Sequence, residues 1–84
     1  MLVRTQDKLS VISFEKMCCV SIKEIKNRVY IVGLYNNEQY ILGEYSSVSV
    51  AMRVLDNILR DYKEIYFDSE NEYWYIVYEM PDYQ

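Results

Sequence analysis

The chain has 84 residues, of which 51% are apolar and 26% charged, and this composition predicts one folded domain spanning residues 1–84. It has no histidine and only two glycines, which disfavours both acid–base catalysis near neutral pH and a glycine-rich phosphate loop. The formal charge is −4, and residues 60–84 carry seven acidic and two basic side chains, so general nucleic-acid binding is not expected.

Cysteine usage and hydropathy bear on the compartment and on metals. Cys18 and Cys19 are adjacent, and neighbouring cysteines rarely meet disulfide geometry, so we expect free thiols in a reducing, cytoplasmic setting. No histidine and no second cysteine pair are present, so we expect no metal site and no cofactor. The first residues lack the apolar centre of a signal peptide, and no segment is long enough to span a bilayer, so no membrane contact is expected.

The first half of the chain is predicted to form strands. Short apolar or alternating segments are separated by polar turns, which is the pattern of antiparallel strands and hairpins. The predicted strands are Leu2–Thr5, Leu9–Phe14, Val20–Ile25, Arg28–Tyr35 and Tyr40–Tyr45. The predicted turns are Gln6-Asp7-Lys8, Lys26-Asn27 and Asn36-Asn37-Glu38. In the strand 28–35, Val29 and Ile31 point to one face and Val32 to the other.

One helix is predicted, beginning at Ser46 or Ser47, because a serine hydroxyl can accept a hydrogen bond from an unpaired N–H of the first turn. Apolar residues then recur at helical spacing and predict a single stripe packed on the sheet. The stripe consists of Ala51, Val54, Leu55, Ile58, Leu59 and Tyr62.

The C-terminal part is predicted to be an acidic connector, Asp68–Glu72, followed by a last strand, Tyr73–Met80, which Pro81 ends. The alternation puts Tyr78 and Met80 on one face of this strand and Glu79 on the other. If the strand returned beside the first one, its aromatic residues would lie near residues 4–8.

These elements together predict an α+β fold, with an antiparallel sheet of about five or six strands and one helix packed on one face. A single helix covers only one face of a sheet. The other face then needs a partner or stays exposed, so we expect a homodimer or a surface for another protein.

The densest polar cluster is the candidate ligand site. Arg4 and Lys8 can grip an anion, and Thr5, Gln6 and Asp7 can hydrogen-bond to a ribose or a base. Tyr73 and Tyr75 can supply a stacking surface, so a small, nucleotide-like anionic ligand is predicted. A salt-bridged turn with no ligand is the structural alternative, and the sequence leaves both open.

The acidic C-terminal surface is the alternative binding site, for a host or phage protein. Its residues are Asp68, Glu70, Glu72, Tyr78 and Asp82. The segment 68–72 lacks the glycine and the full ligand spacing of a calcium loop. The thiols of Cys18 and Cys19 have no histidine to activate them, so the chain is predicted not to be an enzyme.

Two blocks of the sequence resemble small uncharacterised proteins of phages and prophages of Gram-positive bacteria. The first block is Arg4-Thr5-Gln6-Asp7-Lys8, which matches the Arg-Ser/Thr-Gln-Asp-Lys motif near the start of those proteins. The second is Leu42-Gly43-Glu44-Tyr45-Ser46-Ser47, followed by Ala51, Val54, Leu55 and Ile58 of the helix. Val48 and Val50 depart from the pattern, in which charged residues are usual at those positions.

The resemblance covers residues 3–59 and implies an accessory protein of a mobile element that works in the host cytoplasm. Such proteins often counter host defences. With the residues above, the functional hypothesis is a non-catalytic binding protein that sequesters a small anionic ligand. The alternative is an inhibitor that docks on a host defence or nucleic-acid-handling protein.

Overall fold

A computed structural model describes residues 1–67 and 77–82, with the side chains of 1–64 and 77–82. The strands and the helix are β1 (Leu2–Arg4), β2 (Val11–Ser13), β3 (Cys19–Ile25), β4 (Arg28–Tyr35), β5 (Glu38–Tyr45), α1 (Val48–Phe67) and β6 (Val77–Glu79). The α+β class with one helix is therefore confirmed for the described residues. Among them no helix is long and apolar enough to cross a lipid bilayer.

The strands form two small sheets, so the prediction of a single sheet is wrong. One sheet is an antiparallel meander in the order β3-β4-β5, and the other has the order β2-β1-β6. In the second sheet β1 pairs antiparallel with β2 but parallel with β6, so the all-antiparallel prediction is also wrong. The reason is chain direction, because the long crossover through α1 brings β6 back along β1 in the same sense.

Two tight turns fix the register of the meander. Lys26-Asn27 joins β3 to β4 and Asn36-Asn37 joins β4 to β5, with φ values of 51° and 65° in each turn. Two consecutive residues with positive φ are typical of the type I′ turn, whose twist matches paired strands and which favours asparagine. The Lys26-Asn27 turn is therefore as predicted, whereas the predicted Asn36-Asn37-Glu38 turn has only two residues, because β5 begins at Glu38 rather than at Tyr40.

The helix crosses one face of the meander and closes the core. Its predicted cap is confirmed, since Ser47 Oγ accepts a hydrogen bond from Val50 N–H at 3.2 Å. The core consists of Met1, Val3, Met17, Val29, Ile31, Leu42, Tyr45, Ala51, Val54, Ile58 and Met80. Leu59 was expected in the core, but its side chain is 50% exposed and lies on the flank of α1.

Candidate functional site

The candidate cluster is the turn that follows β1. Thr5 N–H donates to Ser10 O at 2.9 Å and Lys8 N–H donates to Thr5 O at 2.9 Å. Lys8 takes a φ of 68°, the left-handed conformation that lets the chain reverse into β2. Arg4 ends β1, and so the motif is a β1–β2 connection whose backbone bonds are made inside the protein.

Thr5 and Asp7 stabilise this turn with their side chains. The buried Thr5 hydroxyl donates to Asp7 Oδ1 at 2.6 Å and accepts a bond from Ser10 N–H at 3.2 Å. Asp7 Oδ1 also accepts a bond from Leu9 N–H at 2.9 Å. The Thr5 bond, and after it the Leu9 bond, lower the pKa of Asp7 below its usual value, because both favour the carboxylate.

Gln6 connects the turn to β5 and to the chain after β6. Its backbone N–H donates to Leu42 O at 2.8 Å. Its side chain accepts a bond from Glu44 N–H at 2.9 Å, and its amide donates to Glu44 O and to Pro81 O, both at 3.1 Å. Both amide hydrogens and the amide oxygen are thus used in the protein, and Gln6 pairs with the edge of β5 as a short strand would.

Tyr45 completes the same junction from the other motif block. Its hydroxyl donates to Pro81 O at 2.9 Å, so this carbonyl accepts bonds from both Gln6 and Tyr45. The Tyr45 ring lies over Gly43, where an added Cβ would be 2.7 Å from the hydroxyl oxygen and 2.9 Å from a ring carbon. The contacts among Gln6, Glu44, Tyr45 and Pro81 are called the Gln6 clasp below.

A bulge in β5 makes room for the clasp. Ile31 pairs with Gly43 and Val32 with Ile41, which leaves Leu42 as the extra residue of β5. A bulge bends its strand and disrupts the ladder locally. The carbonyl that Gln6 N–H reaches belongs to this extra residue, so Gln6 pairs with β5 at the point where the β4–β5 ladder is interrupted.

Arg4 and Lys8 are the two cations of the cluster, and both lie against β6. Arg4 Nε is 3.3 Å from Glu79 Oε1 and Lys8 Nζ is 3.3 Å from Glu79 Oε2. The Arg4 Nε atom is shielded from water, but its hydrogen is not aligned with the carboxylate. The three side chains remain 41 to 52% exposed. This group of Arg4, Lys8 and Glu79 is called the Glu79 triad.

The sequence left the strand order open, and in the structure Val77–Glu79 lies beside β1, where the side chain that reaches the cluster is the acidic Glu79. Tyr73 and Tyr75 lie outside the described residues, as do Asp68, Glu70 and Glu72 of the acidic surface. Tyr78 is half-buried against the core, and Asp82 is exposed. The stacking tyrosines of the ligand site and most of the acidic surface therefore stay predictions.

Glu79, Leu42 and Pro81 were not predicted as parts of the site. Leu42 and Glu44 are distant in sequence from Gln6, and Gln6 and Pro81 are 75 residues apart. The signal that the sequence offered for this site was that two motif blocks, residues 4–8 and 42–47, occur together in one short chain. Nothing local in the sequence indicates which carbonyls the glutamine amide reaches.

The other reactive side chains of the described residues lie outside this cluster. Cys18 and Cys19 are exposed free thiols, and Cys18 Sγ lies 3.6 Å from Leu34 O. Within residues 1–67 and 77–82, no three acidic or cysteine residues are placed to hold a metal ion.

A groove of about 370 Å³ runs between β2 and the β4–β5 hairpin, where Lys16, Tyr35 and Tyr40 line it. Tyr40 donates to Glu38 at 2.9 Å, and this bond raises the pKa of Tyr40.

Comparison with known proteins gives no relative: no family model, no curated protein and no solved structure matches this chain.

Proposed function

We propose that this protein is a non-catalytic accessory protein of a phage or prophage, that it acts as a homodimer, and that it works by docking on a host protein. The mobile-element context rests on the two motif blocks that resemble phage proteins. The choice of a protein as the target rests on the surface described next. Such a protein would block a host defence or nucleic-acid-handling protein by covering its working surface.

An apolar stripe on the outer flank of α1 carries the proposal. Val48, Met52 and Leu59 are 39%, 53% and 50% exposed. Leu55, half-buried, lies between them, and the four residues follow the spacing of one helix face. This exposed helix stripe is separate from the core face of Ala51, Val54 and Ile58, and contiguous apolar surface of this kind is typical of protein interaction sites.

The polar cluster is a weaker candidate for a protein or ligand contact. Thr5, Gln6 and Asp7 use their side chains in the turn and the clasp, so a ligand would have to break bonds that hold the fold together. One observation still favours the small anionic ligand as a second candidate. Arg4 and Lys8 converge on the two oxygens of one carboxylate, which is the arrangement needed to grip an anionic group if Glu79 moves aside.

Immobilised full-length chain, exposed to lysate of a Gram-positive host, tests the docking proposal. A retained protein is identified by mass spectrometry, purified, and its dissociation constant measured by calorimetry. Met52→Glu is expected to weaken the complex by at least about tenfold, because a charge enters the apolar contact. Leu9→Glu is the matched control, since Leu9 is 83% exposed on the β1–β2 turn, away from the stripe.

Two results would contradict the proposal. One is unchanged affinity in Met52→Glu, which would remove the helix stripe as the docking surface. The other is micromolar binding of a cyclic nucleotide by the isolated chain that Arg4→Ala abolishes, which would favour the second candidate. Turnover of nucleotides, peptides or esters that a single substitution abolishes would overturn the non-catalytic assignment.

A further inference from the structure

The face of the β3-β4-β5 meander opposite α1 carries a second apolar patch. Four rows of cross-strand neighbours lie on this face, here called the outer face. The rows are Lys23–Tyr30–Glu44, Ser21–Val32–Ile41 and Cys19–Leu34–Gln39, each written in the order β3, β4, β5, with the shorter row Ile25–Arg28 at the end of β3 and β4. The middle of the face is therefore apolar, and its first row has opposite charges at its two ends.

Val32 shows that this patch is distinct from the core. Its side chain is only 6% exposed, yet it does not belong to the core that α1 closes. Ile41 beside it is 59% exposed, and Tyr30 and Leu34 are half-buried. The apolar surface that sheet-on-sheet packing would bury is therefore that of Ile41 and of the exposed parts of Tyr30 and Leu34, which surround Val32.

The placement of charge selects the partner. A two-fold axis parallel to β4 stacks one outer face on another and places β3 of one copy over β5 of its partner. Lys23 of each copy then faces Glu44 of the other, and Val32 faces its own equivalent on the axis. Arg28 meets its own equivalent near this axis, and its charge is balanced by Glu44 of the same copy, whose carboxylate is 3.2 Å away. The complementary charges across the axis are therefore those of the Lys23–Glu44 row.

We propose that two copies of this chain pair through their outer faces, with Lys23 of each copy against Glu44 of the other. The proposal deepens the homodimer in the proposed function and does not depend on the helix stripe, which lies on α1. Both surfaces stay accessible at once, because the helix and the outer face are on opposite sides of the meander.

The size of the face sets the strength of the dimer. Three strands at about 4.8 Å spacing and seven residues at about 3.3 Å rise give a footprint of roughly 14 by 23 Å. This is smaller than the roughly 800 Å² that each partner buries in a standard stable interface. The dimer should therefore be weak, and it should be sought at high micromolar concentrations.

Sedimentation equilibrium of the full chain from about 5 to 500 μM is the first test, and a reversible monomer–dimer equilibrium is the expected result. Ile41→Glu should weaken dimerisation by at least about tenfold, because the two-fold axis brings in two charges at once. Leu9→Glu, which changes a more exposed apolar residue (83% against 59% for Ile41) on the β1–β2 turn, should leave the constant unchanged.

A charge exchange tests the register. Lys23→Glu and Glu44→Lys should each weaken the dimer, and the double variant should recover most of the wild-type constant, with circular dichroism confirming that all three fold. A monomer throughout the concentration range, a dimer insensitive to Ile41→Glu, or a double variant weaker than both single variants would overturn the proposal. A monomer would also remove the homodimer from the proposed function, whereas host-protein capture by the helix stripe is tested by Met52→Glu alone, so that part fails separately.

Discussion

Gln6 of the clasp and Arg4 and Lys8 of the Glu79 triad belong to one five-residue motif, yet the clasp and the triad are held by opposite kinds of contact. In the clasp, neutral hydrogen bonds connect backbone groups of both sheets, and Gln6 has no unused amide group. In the triad, three charged side chains that are about half exposed share contacts of 3.3 Å. In this motif the middle residue, Gln6, therefore connects the two sheets, while the side chains of the end residues, Arg4 and Lys8, are about half exposed and can be reached from solvent.

The strongest way to break the clasp is to fill the space under Tyr45. Gly43→Ala should lower the free energy of unfolding by about 2–3 kcal/mol, because the ring must leave its place and the bond to Pro81 O is lost. Urea unfolding followed by circular dichroism measures the change.

Gly33→Ala is the matched control, since its Cβ would clash with the Met17 sulfur, more closely than any contact at Gly43, and would touch Leu42 Cδ1 at 3.6 Å, but the Met17 side chain has several rotatable bonds and can move aside. Its cost should be clearly smaller. Equal costs at the two glycines would show that the Tyr45 ring is free to move and that the clasp is not rigid.

Removing the Gln6 side chain attacks the clasp directly. Gln6→Ala should cost about 2 kcal/mol, because Glu44 N–H, Glu44 O and Pro81 O lose a partner at the junction of the sheets. Gln6→Glu keeps the size but cannot donate to either carbonyl while ionised. Its folded-state pKa should therefore be raised, so its stability should increase as the pH falls, unlike that of Gln6→Ala.

Thermal unfolding from pH 7 to pH 4 checks this pair of variants. If both variants unfold within error of the wild type at pH 7, the clasp contributes nothing and the sheets are held by the core alone. If the stabilities of Gln6→Ala and Gln6→Glu change with pH in the same way, the hydrogen bonds donated by the Gln6 amide do not stabilise the clasp.

The sequence predicted what is local and missed what is distant. The two type I′ turns and the Ser47 cap depend on neighbouring residues, and their residues could be read from the chain. The division into two sheets could not, because it depends on a bulge at Leu42 and on the direction in which β6 returns. For the candidate site, the polar motif could be read from the sequence, but Glu79, the partner of both cations, could not, because it lies 71 residues from Lys8.

Asp7 lies between Gln6 of the clasp and Lys8 of the triad in the sequence. Its pKa is lowered chiefly by the hydrogen bond from the Thr5 hydroxyl. A lowered folded-state pKa stabilises the fold above the unfolded value, near 3.9, and this contribution is lost as the pH falls through the folded value. Thr5→Val should raise the pKa of Asp7 toward its ordinary value, which NMR titration of the carboxyl carbon measures. An unchanged pKa would show that the Leu9 N–H bond, not Thr5, holds the carboxylate.

We expect the smallest effect on stability for the triad. This effect decides whether Arg4 is a structural residue or part of a ligand site. Arg4→Ala should change the free energy of unfolding by no more than about 1 kcal/mol, since exposed ion pairs contribute little and salt screens them. If Arg4 also grips an anion, the same variant should lose about 1.5–3 kcal/mol of binding to a cyclic nucleotide with the fold intact. Both quantities are measured on one purified variant, with Lys16→Ala as a control for general loss of a surface cation. A stability loss well above 1 kcal/mol with unchanged nucleotide affinity would make Arg4 a structural residue and remove the triad as a binding site.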